Sequence, residues 1–307
     1  MQRRAGLREA AARVGRIIAP GLPRDAGRRL LPSYRLAVAA TVDGEGRPRA
    51  TPLTGPPGFL RSLDDDLVEI ATPVAPDAPL ARDLAGRPEL GLLAFDPTRR
   101  FRLRLNGRAL LTTDGFHLLV DQAYGNCQKY IQLRRAVGDV ARPTAGPPRE
   151  GVALSERQAA WIEGSDTLFI VSCHPTAGAD ASHRGGFPGF VRVEGADRLS
   201  FADYPGNAMF NTLGNLVAWP QLALLFVDFA TGDTLEVAGR ALVGSRREVE
   251  VRVETVREAS GEVPLRYELV EYSPVLPRPS RFPAGDISRD AGSTHDRETP
   301  DDPAHRL

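Results

Sequence analysis

Lysine is almost absent from this chain. Lys129 is the only one, and every other member of the Lys+Arg total of 39 is arginine. Asp and Glu also number 39, so no global basic field draws nucleic acid to the surface. Cysteine occurs twice, at Cys127 and Cys173, too few for a disulfide framework or a thiolate zinc site. No His, Cys and Asp set has metal-ligand spacing. Neither Gly-x-Gly-x-x-Gly nor Gly-x-x-x-x-Gly-Lys occurs, so neither a dinucleotide fold nor a phosphate loop is signalled. No apolar run approaches the roughly 20 residues that span a bilayer. These absences point to a soluble chain with the cytoplasm as its default compartment, no membrane contact and no nucleic-acid partner.

What is present is 307 residues, 42% of them apolar, enough for one large or two modest domains with real cores. Residues 1–34 are arginine-rich. Leu7, Ala11, Val14, Ile17 and Ile18 recur at helical spacing, which predicts a packing or partner-binding helix to about Ala19. An organelle-targeting peptide has a similar composition. From Leu36 the texture changes to short β-type runs separated by turns such as Asp43-Gly44-Glu45-Gly46. Phe101-Arg102-Leu103-Arg104-Leu105 alternates as a half-exposed strand should. Helical pieces are expected over Leu80–Gly86, around Asp121–Arg135 and over Ser155–Gly164.

The second half repeats the first. Gly55–Arg61 resembles Gly186–Arg192, Arg87–Leu93 resembles Trp219–Leu225, and Gly107–Leu110 resembles Gly239–Leu242, all at a spacing of 131 or 132 residues. Three matches in one order predict an internal duplication. Many short strands per unit favour a small antiparallel barrel, which also removes sheet edges. The fold class expected is mainly β with a few helices: two tandem split β-barrels forming an internal pseudo-dimer. The boundaries are a helical segment at 1–34, a first barrel at 35–141, a linker and helix at 142–164, a second barrel at 165–276, and a Pro-, Asp- and Arg-rich disordered tail at 277–307.

Chemistry concentrates in three stretches. Ala202–Leu216 reads ADYPGNAMFNTLGNL. Gly206 breaks the chain, Asn207 is a candidate cap, and a helix is expected from Ala208. Asn207, Asn211 and Asn215 stand four apart, so they form an amide row at a helix start, suited to an anion such as phosphate. An ordinary capped surface helix fits the same residues. The positions 132 earlier are Ala75, Pro79 and Asp83, so the first half lacks the row, which favours the anion site. Upstream, Asp180–Gly186 offers the Arg184 guanidinium, the Ser182 hydroxyl and glycines that admit close backbone approach. Asp180, Ser182 and His183 have the side chains of a nucleophile triad, but neighbours on a strand point to opposite faces and no nucleophile elbow is present. Gln122–Ile131 mixes Tyr124 and Tyr130 with Cys127 and the lone Lys129. It reads either as a surface helix or as an arm covering a ligand on the other barrel. Cys173-His174 reads as a buried thiol and an edge histidine.

These residues carry a resemblance. Val171–Pro175, Gly178–Gly186, Pro188–Val191, Tyr204–Asn207 and Phe210–Leu216 look like the pyridoxamine 5′-phosphate oxidase-like family, and Tyr124–Tyr130 is similar to another of its blocks. The likeness covers about residues 36–275 and is strongest to a two-barrel subgroup. It implies a split barrel with FMN held between two barrels. On it, Ser182 and Arg184 would lie near the FMN phosphate or ribityl chain, Asn207, Asn211 and Asn215 at the phosphate end, Gly185 and Thr212 would also contact the cofactor, and Cys127, Lys129 and Tyr130 would approach the flavin or the substrate from the other barrel. Where many relatives place a basic residue after the helix-opening Asn, this chain has Met209, which shifts the charge onto Arg184.

The function expected is an FMN-dependent oxidoreductase acting on a small molecule, with Lys129 and His183 as the candidates for any catalytic proton transfer. The chain would act as a monomeric pseudo-dimer or as a homodimer. The alternative is a non-catalytic protein binding flavin, deazaflavin or haem, or one docking onto a redox partner protein. The lack of a reductase-like module in the sequence supports that alternative.

Overall fold

The computed structural model describes residues 18, 20–22, 29–125, 127–139, 146–206, 208–245 and 247–277. The N-terminal helix to about Ala19, Asn207, part of the linker and all but the first residue of the tail at 277–307 lie outside them. The segment Leu36–Val42 (LAVAATV) has no polar face, and all seven residues are buried. Successive strand side chains point to opposite faces, so this strand must be covered on both. Ala37 and Ala39 pack into the core of the first sheet. Leu36, Val38, Ala40 and Val42 pack into a second core shared with the other half.

That strand is β1. With β2 (Pro48–Thr54), β3 (Leu60–Ser62), β4 (Leu67–Ile70), β5 (Glu89–Asp96), β6 (Phe101–Thr112) and β7 (Gly115–Gly125) it forms an antiparallel sheet ordered β2-β1-β5-β6-β7-β4-β3. Helix α1 (Pro79–Gly86) joins β4 to β5. After β8 (Leu133–Asp139) and β9 (Arg149–Gly151) comes helix α2 (Glu156–Gly164), which Ser155 and Gln158 close with a reciprocal capping box.

The second sheet contains β10 (Thr167–His174), β11 (Gly178–Gly185), β12 (Val191–Val193), β13 (Arg198–Ala202), β14 (Gln221–Val227), β15 (Thr234–Val243) and β16 (Glu248–Ala259), ordered β11-β10-β14-β15-β16-β13-β12. This is the order of the first sheet, strand for strand. Helix α3 (Asn211–Ala218) stands where α1 does, 132 residues on. Even the register shift recurs, at Asn106/Gly107 and at Ala238/Gly239. β17 (Leu265–Glu271) pairs with β8, tying the end of one half to the end of the other. The fold is mainly β, with curled sheets of split-barrel type.

Three cores follow from strand parity. Leu92 and Ala94 of β5 fill the first sheet, and Leu222, Leu224 and Phe226 of β14 fill the second. The alternate residues Leu93, Phe95, Ala223 and Leu225 join the shared core, with Phe95 edge-on to Phe169 at 5.1 Å. The unbroken apolar runs of these strands therefore mark the interface between the two sheets.

Three sequence expectations change. Asp121–Arg135 is not helical. Its first residues extend β7, with Tyr124 opposite Arg104, and β8 begins at Leu133. Pairing with β6 decides this, because it buries Ala123 and Tyr124. Helix α3 starts at Asn211 rather than Ala208, since Ala208 and Phe210 both have left-handed backbone (φ 62° and 60°). Strand Phe101–Leu105 is not half-exposed: Leu103 and Leu105 enter the first core, and the face carrying Arg102 and Arg104 turns toward the second sheet.

Candidate functional site

The end of β11 runs beside α3 and the arginine face of β6. Between them lies a cleft with an enclosed volume of about 100 Å³, opening to solvent beyond. Nine of the residues singled out from the sequence line it: Cys127, Lys129, Tyr130, Ser182, His183, Arg184, Gly185, Asn211 and Thr212. Asn215 does not. Its amide donates to Ser172 Oγ (3.2 Å) and Asp180 Oδ2 (3.1 Å), one helical turn away from the lining.

The first half supplies the decisive charges. Arg104 is buried. It donates to the hydroxyls of Tyr124 (2.8 Å) and Ser182, and Asp180 Oδ1 stands 3.5 Å away. Thr212 donates to the same Ser182 oxygen (3.1 Å), and Asn211 donates to Tyr124 Oη (2.9 Å). Arg102 keeps a little surface in the cleft, but its guanidinium is enclosed. It reaches His183 Nδ1 (3.0 Å) and the Cys127 carbonyl (2.8 Å). Arg184 donates from Nε to Asp203 Oδ1 (2.7 Å). With Lys129 and Arg247, five basic side chains line the cleft against one carboxylate, Asp203, among the described lining residues.

This imbalance shows in the groups themselves. Burial, then the charges of Arg184 and Arg104, push the Arg102 pKa down to about 9. The Nε atoms of Arg102 and Arg104 are buried without a hydrogen-bond partner among the described residues. Buried donors with excess positive charge are costly unless an anion meets them. His183 is stacked on Phe95 (5.0 Å) and edge-on to Phe169. Burial first, then Arg102, Arg184 and Arg134, hold its pKa well below the usual 6.5. It is therefore a neutral imidazole. Arg102 donates to Nδ1, so the ring proton sits on Nε2, which has no partner among the described residues. A charged imidazolium is disfavoured there on every side. Lys129 stands exposed at the rim.

The segment carrying Cys127, Lys129 and Tyr130 crosses onto the second sheet. Tyr130 Oη donates to the Pro205 carbonyl (2.7 Å), and its ring meets Tyr204 at 5.4 Å. Buried Gln132 donates to the carbonyls of Asp166 and Gly186 and accepts from Ser273 N–H. A Cβ on Gly185 would stand 1.9 Å from the Tyr130 carbonyl oxygen. Gly185→Ala is therefore expected to push the segment off β11 and to cost about 1–3 kcal/mol, read as a lower melting temperature.

Residues 24–142 match the family model described as pyridoxamine 5′-phosphate oxidase. The match falls on the first half, whereas most blocks that resemble the family in the sequence lie on the second. No curated protein matches the chain. Among solved structures, HupZ of Group A Streptococcus is 16% identical over 33% of this chain and 91% of its own, with a TM-score of 0.28. A Lactobacillus delbrueckii protein described as a candidate pyridoxamine 5′-phosphate oxidase is 16% identical over 34% and 93%, with a TM-score of 0.28. An F420 reductase is 13% identical over 33% and 94%, with a TM-score of 0.23. Among the described residues no group of acidic, histidine or cysteine side chains is placed to hold a metal, and no helix is long and apolar enough to cross a membrane.

The sequence reading missed Arg102 and Arg104. Their only signal was strand alternation, which does not tell water from a facing sheet.

Proposed function

We propose that this protein is an FMN-dependent oxidoreductase of the pyridoxamine 5′-phosphate oxidase-like type, acting on a small molecule in the cytoplasm. One observation carries the reading: three arginines from two sheets, Arg102, Arg104 and Arg184, converge on one small cleft with buried N–H groups left unpaired. The donor set fits a phosphate dianion. The repeated sheet order supports an internal duplication, so that a single chain would supply both halves of the site.

Arg102, Arg104 and Arg184, with Ser182, Asn211 and Thr212, would hold the phosphate end of FMN. Cys127, Lys129 and Tyr130 would border its reactive end. When bound, the flavin supplies hydride chemistry, and the protein's share is to bind, orient and exclude water. Lys129 is the exposed group able to hold a proton at the rim.

The neutral, enclosed state of His183 favours a second reading, a non-catalytic protein for flavin, deazaflavin or haem. The absorbance spectrum of the purified protein and the mass of its released ligand test both readings. Protein that lacks flavin absorbance and does not take up added FMN would remove the first. Anaerobic mixing with NADH or NADPH then separates enzyme from carrier, since only an enzyme bleaches at a catalytic rate. Arg184→Ala is expected to weaken FMN binding by about tenfold or more. Arg61→Ala, on β3 and paired with Glu69, should leave binding unchanged. Fluorescence titration of FMN gives both values, and equal losses would contradict a single asymmetric site.

A further inference from the structure

The repeated topology gives the arginine cleft a counterpart in which the two halves exchange roles. A second cavity, of about 410 Å³, lies among β2, the segment leading into α1, and the strands β15 and β16. Positions that correspond by strand register carry different chemistry. Arg184 becomes Leu53, Arg104 becomes Glu236, Arg102 becomes Thr234, His183 becomes Pro52 and Asn211 becomes Pro79. The three arginines, the histidine and the amide have no counterpart, Arg104 is replaced by an acid, and Ser182 alone keeps a hydroxyl counterpart, Thr51.

Glu236 is buried, and its carboxyl lines this cavity. Oε1 accepts the Ala50 N–H at 2.8 Å, whereas Oε2 has no hydrogen-bond partner among the described residues. The two arginines of the lining are already engaged, Arg49 with Asp83 (3.1 Å) and Arg257 with Glu262 (2.9 Å). Neither arginine hydrogen-bonds Glu236, so its carboxyl has no paired cation among the described residues. Burial raises its pKa, against the lowering effects of the Ala50 N–H and of Arg49 and Arg257. The remaining walls are largely apolar, among them Leu53, Pro73, Val74 and Leu80.

We infer that this second cavity binds a small organic amine with an apolar body, its ammonium on Glu236, and excludes anions. A cation there would satisfy the free carboxylate oxygen with a charge-assisted hydrogen bond while the apolar walls take the hydrocarbon part. The inference does not depend on the flavin reading of the first cleft.

The full-length protein is titrated with benzylamine, benzyl alcohol and benzoate, with binding followed by calorimetry and by the NMR shift of the Ala50 amide. Benzylamine should bind and move that amide, benzyl alcohol should bind about tenfold more weakly, and benzoate should not bind there. Glu236→Gln should weaken benzylamine by about tenfold or more, to the level of the alcohol. Val74→Trp, which narrows the cavity from its rim and keeps the carboxyl, should weaken both. Benzoate shifting the Ala50 amide as strongly as benzylamine would overturn the inference. So would undiminished benzylamine binding in either variant, or no probe moving that amide. If Glu236→Gln fails to fold, the wild-type series and Val74→Trp decide.

Discussion

Arg104→Ala is expected to lower stability by roughly 3 kcal/mol and to abolish FMN uptake. For a chain of this size that loss corresponds to a fall in melting temperature on the order of 5 °C. The Arg104 side chain is 6% exposed and its partner Asp180 is 17% exposed. Removing the guanidinium strips Asp180 of its nearest cation and takes one of two donors from each of the Ser182 and Tyr124 hydroxyls, leaving those of Thr212 and Asn211. Asp180 would keep only the amides of Asn106 (2.7 Å) and Asn215 (3.1 Å). A buried charge losing its counter-charge costs more than the pair contributed. Adding Asp180→Asn to Arg104→Met should therefore recover part of the stability and none of the FMN binding. Thermal melts and flavin fluorescence on the four proteins of that cycle give the coupling directly. Additive losses would show that the two side chains do not act as a pair.

Arg102→Met should move stability and binding apart. Burial, then repulsion by Arg184 and Arg104, pulls the Arg102 pKa down to about 9, and no carboxylate among the described residues pairs with it. A base whose folded pKa is depressed binds fewer protons in the folded state. Its contribution to stability therefore rises as pH climbs above about 9, and the full penalty is present at neutral pH. Taking the charge away relieves that penalty. The ligand-free variant should melt no lower than the parent despite losing the bonds to His183 and the Cys127 carbonyl. Its affinity for FMN should fall by about a hundredfold, since an enclosed cation is strongest where water cannot compete. A variant destabilised as much as Arg104→Ala would mean that the Arg102 charge is compensated within the protein, and the anion argument would lose its main support.

The contrast between these neighbours on one strand shows where sequence reading stops. Phe101-Arg102-Leu103-Arg104-Leu105 declares its alternation openly. What it cannot declare is whether the polar face meets solvent or a second sheet. The same limit applies to Asp121–Arg135, where Tyr124 and Ile131 fit a helix until pairing with β6 makes the first part a strand. It applies also to the start of α3, which two left-handed residues, Ala208 and Phe210, place after the point that local signals suggest.

The sequence by itself determined the strand-rich class, the repeat at 131 or 132 residues, and the segments Cys127–Tyr130, Ser182–Gly185 and Asn211–Thr212 that meet in one cleft. The class and the repeat follow from periodicity, turn residues and self-similarity, which are properties of neighbours along the chain, whereas the grouping of the three segments is what the family resemblance implied. Tertiary structure alone decided that Arg102 and Arg104 complete the cleft, that Asn215 turns to Asp180 instead, that His183 is neutral, and that Glu236 is buried in the counterpart cavity. Each of those depends on what faces a side chain across the interface between two sheets. Burial and opposing charge act through space, between residues whose separation along the chain carries no trace of their contact.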